Sequence, residues 1–111
     1  MEIAESSLDQ YVLISLAGEM DASNAPELEA KVNELLEAGK TELVFECSRL
    51  DYVASAGLRV FVMTAKKLKR AEGKLGMAGM QDLVKDVFVM AGLDDLFNFF
   101  PSPAEAVKTL G

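Results

Sequence analysis

The chain has no histidine, one cysteine and only three prolines in 111 residues. Without histidine there can be no Ser-His-Asp triad and no Cys-His dyad, and with a single thiol the usual zinc sites are closed as well. Hydrolytic or transfer chemistry would have to rest on carboxylates and lysines alone. Cys47 has no second thiol to pair with, and its place in the apolar run LVFEC reads as a small buried hydrophobe. Positive charge is scarce too: eleven basic residues face eighteen acidic ones, a net charge of −7. That balance disfavours nucleic acid as a partner, because a phosphate backbone is bound by Lys and Arg displacing counterions. No apolar run nears the roughly 20 residues that cross a bilayer, the segment Tyr11 to Ala17 being typical of what there is. Direct membrane insertion is not expected. The opening MEIAESSLDQ is acidic and has no apolar block of signal-peptide length, so the expected compartment is the cytoplasm.

Half the residues are hydrophobic, enough for one ordinary core, and residues 1–111 are read as a single domain. Two periodicities alternate along the chain, as when strands and helices interleave on one sheet. A weak strand around Ile3 to Ser6 precedes YVLISLAG, which is apolar on both faces like an interior strand, with Gly18 closing it. The loop GEMDASNAP leads into a helix that Ser23 or Asn24 can cap, with Glu27 at capping-box spacing from Asn24 and Pro26 in the first turn. Leu28, Val32, Leu35 and Leu36 form its core stripe, and Gly39 ends it. TELVFECS is a second interior strand. The helix after it buries Leu58, Phe61, Val62, Ala65 and Leu68, leaves Val60 and Met63 on the flank, and stops at Gly73. KLGMAGM reads as a glycine-weakened strand and DLVKDVFVMAG as a helix starting at Gln81 or Asp82. A short extended FNFF and a last helix in AEAVKTL complete the order. The fold class is α/β: a mixed sheet of four to five strands with about four helices, a βαβαβ core of parallel neighbours, and an antiparallel first pair.

Several patterns suggest chemistry that their surroundings do not support. Gly73, Gly76 and Gly79 recur every third residue, but a phosphate loop needs Lys and Ser or Thr after its last glycine, and here Met80 and Gln81 follow. The glycines instead mark a strand that a neighbour approaches closely. Asp94 and Asp95 are adjacent, so their side chains diverge, whereas paired catalytic acids must converge on one bond. Arg59, Lys66, Lys67, Lys69, Arg70 and Lys74 gather six basic residues into sixteen. This is either an anion-binding stripe or the solvated C-terminal half of a helix, where cations suit the carbonyl dipoles. Most of the six methionines fill the core, while Met63 and Val60 are expected to face outward as an apolar docking patch.

The stretch DYVASAGLRVF holds one hydroxyl among small residues: Ala54, Ser55, Ala56, Gly57. Ser55 falls where a strand hands over to a helix, the rim on which open α/β sheets place functional groups. It is either an N-cap, accepting from the amide of Gly57 or Leu58, or an exposed hydroxyl that a kinase can reach and whose phosphate a helix N-terminus tolerates.

The segment LDYVASAGLRVFVMTAKKLK resembles the signature of the anti-sigma factor antagonists of the STAS-domain family, in which a short Ser-rich run before Gly-Leu opens a helix and carries a regulatory phosphoserine. LAGEMDASNAPEL resembles that family's Gly-Glu-aliphatic-Asp loop. The resemblance spans essentially the whole chain. It implies a STAS fold, phosphorylation at Ser55, and a partner-binding surface of Asp21, Ser23, Asn24, Ala54, Ser55, Ala56, Gly57, Leu58, Val60 and Met63. Members often carry Asp-Ser-Ser-Gly or Ser-Ser-Ala-Gly at this point, and with Ala54 and Ala56 on either side Ser55 is the only local hydroxyl. By the same resemblance the chain is not an enzyme and holds no cofactor or metal. Its partners would be an anti-sigma factor serine kinase, which binds the ATP, and a PP2C-type metal-dependent serine phosphatase, with the chain a monomer or weak dimer. The rival reading keeps the fold and changes the output: a STAS accessory subunit of a lipid-transport ABC system, or a partner-switching module that controls secretion or another non-sigma output.

Overall fold

In the computed structural model, which describes all of residues 1–111, strand β1 (Glu2–Leu8) turns at Asp9 and Gln10 and pairs antiparallel with β2 (Tyr11–Met20). Helix α1 (Ala25–Glu37), strand β3 (Glu42–Val53), helix α2 (Ser55–Arg70), strand β4 (Lys74–Ala78) and helix α3 (Asp82–Met90) follow. A 3-10 turn at Asp94–Leu96, strand β5 (Phe99–Phe100) and helix α4 (Pro103–Leu110) close the chain. The sheet order is β1-β2-β3-β4-β5, with every neighbour after the first pair parallel.

Alternation along the strands divides the core. Leu43, Phe45 and Cys47 of β3 point to the face covered by α1, α2 and α3, where they meet Leu28, Val32, Phe61, Leu68, Val84 and Phe88. Val44 points to the other face, which α4 covers with Ala106, Val107 and Leu110. An edge-to-face aromatic pair, Phe45 with Phe61 at 5.1 Å, joins sheet to α2, and Phe88 extends the contact to Phe61 at 5.6 Å and Phe97 at 5.3 Å. Burial and the charge of Glu46 push the Cys47 thiol well above its usual range, so the residue behaves as a core hydrophobe. No helix is long and apolar enough to cross a membrane.

Several boundaries differ from the sequence reading. Gly18 does not close β2: at φ 103 it sits at an irregularity in the β2–β3 register, and the strand continues to Met20. Strand β3 runs past Ser48 to Val53, because Leu50, Tyr52 and Val53 pair with Gly18, Glu19 and Met20. Gly73 is not the left-handed residue after α2; Glu72 takes that conformation at φ 56, and the Gly73 amide then bonds the Leu68 carbonyl at 2.7 Å. Gly39, as expected, sits at φ 79 after α1, with Lys40 bonding back to Leu35 in a Schellman arrangement. The close approach expected of the β4 glycines is real at Gly76, where an added methyl would lie 3.2 Å from Ala106 Cβ.

The buried face of α2 is also rotated from the expected one. It consists of Gly57, Val60, Phe61, Thr64 and Leu68, while Leu58, Val62 and Ala65 are only partly buried. Thr64 can lie on that face, fully buried, because its hydroxyl donates to the Val60 carbonyl at 2.7 Å. A stripe counted from apolar residues alone passes over a threonine whose polar atom is satisfied within its own helix.

Candidate functional site

The C-terminal ends of β2 and β3 lie side by side, and the loops leaving them are tied together: the Ala54 amide donates to the Met20 carbonyl at 2.8 Å. Gly57 makes this close join possible. A methyl on its α-carbon would sit 2.7 Å from the Met20 sulfur and 3.1 Å from a Val53 methyl. The first turn of α2 therefore rests on Met20 itself, and the Gly of Ala-Gly-Leu is a contact requirement.

Neither expected cap is built as read. The N-cap of α2 is Ala54, extended at φ −87 and ψ 172, and no side chain caps the helix. Ser55 is the first helical residue, is exposed, and its hydroxyl is not drawn into a capping bond. The N-cap of α1 is Asn24, but its side chain does not cap. Its Oδ1 accepts from the Asp21 amide at 2.9 Å and its Nδ2 donates to the Glu19 carbonyl at 2.9 Å, which stitches the loop to the end of β2. Ser23 donates from both hydroxyl and amide to Asp21 Oδ1. The Ser23 hydroxyl, then its amide, hold the Asp21 carboxyl below its usual range. Asp21, Ser23 and Asn24 thus form a self-bonded loop beside the start of α2, charged at neutral pH.

Between α1 and α2 runs a groove of about 490 Å³ lined by Ala22, Ala25, Pro26, Ala56, Val60 and Met63, with Glu29 and Arg59 at its edges. Met63 is half-buried here, as a flank residue should be. Val60 is not outward-facing: at 4% exposure it belongs to the core and only its edge reaches the groove floor. The rotation of α2 carried it inward. Leu58 is half-buried, packed against the main core.

Sequence reasoning passed over three features of this rim. Tyr52, the last exposed side chain of β3, is 48% exposed and stands two residues before Ala54. Gln81, at the N-cap of α3, donates to the carbonyls of Ser48 and Leu50 and to Asp51, fastening α3 to the outer half of β3. Leu83 and Met90, one above the other on α3, are 80% and 86% exposed. Of these, only the seven-residue spacing of the last pair was available in the pattern of the chain.

A mixed five-stranded sheet whose parallel strand ends carry an exposed serine at a helix start, next to a polar loop and an apolar groove, defines the class of fold. The chain belongs to the STAS domain family, whose model matches residues 3–106. It is 32% identical to BtrV of Bordetella bronchiseptica over 98% of this chain and 97% of that one. It is 28% identical to the anti-sigma-B factor antagonist of Staphylococcus aureus, over 88% and 91%. An anti-sigma factor antagonist from Mycobacterium paratuberculosis has the same fold at TM-score 0.88 and 24% identity, covering 98% of this chain and 92% of that one. So does the Bacillus cell fate determinant SpoIIAA in its phosphorylated form, at TM-score 0.78 and 20% identity, covering 99% and 100%.

Proposed function

We propose that the chain is an anti-sigma factor antagonist that acts in the cytoplasm by partner switching, with Ser55 as its phosphoacceptor. The single observation carrying this reading is that Ser55 is exposed at the start of α2 with no capping duty, between two alanines too small to screen it. The names of its relatives point the same way. The unphosphorylated protein binds a serine kinase that doubles as an anti-sigma factor and so frees the sigma factor. Within that complex the Ser55 oxygen attacks the γ-phosphorus of the kinase's ATP, ADP leaves, and the hydroxyl proton passes to a base on the kinase. A PP2C-type serine phosphatase reverses the change: water attacks the phosphorus, the bond from phosphorus to the Ser55 oxygen breaks, that oxygen takes a proton, and inorganic phosphate leaves.

Release follows from charge. The new group carries close to two negative charges at pH 7, placed at the start of α2 next to the loop that bears Asp21, in a chain whose net charge is −7. A dianion at a packed interface loses hydration and repels neighbouring acids. The partner surface comprises Asp21, Ser23 and Asn24, the first turn of α2 from Ala54 to Leu58, and the groove edge at Met63. The chain itself supplies no catalytic group.

The test is phosphate mapping by mass spectrometry after incubation with ATP and the host's ATPase-type kinases. Label is expected on Ser55. Ser55→Ala should leave the fold intact and hold the kinase permanently, and Ser55→Asp should weaken binding. Label on another residue, or none with any kinase, would remove the switch.

A further inference from the structure

Arg59 lies four residues after Ser55 on the same helix, and α2 is continuous from Ser55 to Arg70. Residues so spaced are neighbours on a helix surface, their Cβ atoms about 5–6 Å apart. Side chains on a helix lean toward its N-terminus, so a long residue covers the turn before its own. An arginine at position 59 is therefore long enough to reach back to the position of Ser55 from its place at the groove edge.

Arg59 is also free. The ion pairs of the chain are Lys31 with Glu5 and Glu34, and Lys74 with Glu42, none of them involving Arg59. It is exposed and shares the groove edge with Glu29 without pairing to it. From Leu50 to Thr64 it is the only basic residue, in a chain whose net charge is −7.

We propose that Arg59 is the intramolecular receptor for the phosphate on Ser55: one helical turn away, it folds back and holds the group through paired N–H donors. This rests on the reading of Ser55 as the phosphoacceptor. The order is the favourable one, with the anion four residues before the cation. A guanidinium suits phosphate oxygens because its donors form a planar fork, and a dianion competes for it better than the single charge of Glu29 does. Phosphorylation then changes the partner surface twice. It adds negative charge at Ser55, and it withdraws the guanidinium at the groove edge from any carboxylate that a partner offers.

The pair can be read without any kinase. Phosphoserine is installed at position 55 of the full chain by an expanded genetic code, and its second ionisation is followed by phosphorus NMR against pH, for the wild type and for Arg59→Gln and Arg59→Lys. A neighbouring guanidinium favours the dianion, so the Gln variant should titrate about half a pH unit higher than the wild type, the scale of an exposed charge pair. The Lys variant should fall between them, and the difference should shrink in about 1 M salt. The Arg59 Nε signal should move with the same midpoint. Identical titration of wild type and Gln variant, with an Arg59 signal that does not follow the phosphate, overturns the proposal. Failure of every kinase to label Ser55 would instead remove the proposed switch while leaving this measurement readable.

Discussion

Gly57 rests on Met20 so closely that one added methyl group would lie 2.7 Å from the Met20 sulfur. Met20 is fully buried, hemmed in by the core of α1 and α2, so its side chain has little room to retreat. Gly57→Ala should therefore lift the first turn of α2 off the sheet rather than simply stiffen the helix. A destabilisation of about 1–3 kcal/mol is expected, the usual cost of overpacking, despite the better helix propensity of alanine. Chemical denaturation measures it. Kinase binding should fall with it, because the turn that carries Ser55 is the part displaced. A variant as stable as the wild type would show that Met20 can repack freely.

The Ser23–Asp21 pair makes a prediction about acid. Asp21 ionises below its ordinary value of 3.8, chiefly because the Ser23 hydroxyl donates to it. A carboxyl depressed by folding adds stability that is present above its unfolded value and lost as pH falls through the lower, folded one. Ser23→Ala should move the Asp21 carboxyl up toward 3.8 without changing the fold, since the Asn24 bonds to Asp21 and Glu19 still pin the loop. Carboxyl carbon NMR against pH reads this directly. An Asp21 midpoint unchanged in the variant would mean that the hydroxyl bond does not set it.

How far the sequence carried the interpretation depended on what each feature needed. The order of strands and helices was legible because hydrophobic period changes from two to about 3.6 at each boundary. A turn residue with one physical job, Gly39 in the left-handed region, was legible too. The face of α2 was not, because apolar residues surround its first half and Thr64 can join the buried face by finding its partner inside the helix. The outer half of β3 was hidden by Asp51 and the small residues after it, since only pairing with Gly18 to Met20 keeps it extended. At the site, the position of Ser55 was foreseeable. Its freedom from capping was not, because that depends on Ala54 taking the N-cap.

Tyr11 offers a sharper check on the second face of the sheet. It is 1% exposed, packed with Val44, Ala78 and Ala106, and its hydroxyl has no hydrogen-bond partner in the chain. A hydroxyl taken out of water and left unpaired costs about 1–3 kcal/mol, whereas the ring alone loses nothing by burial. Tyr11→Phe should therefore raise stability by about 1 kcal/mol, several degrees in Tm for a domain of this size. Burial, and then the charge of Glu42, also hold the phenol above its ordinary value of 10.0. Above that value the unfolded chain loses this proton while the folded one keeps it, so wild-type stability falls with rising pH. The Phe variant has no such proton to lose. Its advantage should widen in alkali, and denaturant titrations at neutral pH and near pH 10.5 would measure it. A Phe variant that is less stable at both would show that the Tyr11 oxygen is hydrogen-bonded after all, most simply to a buried water.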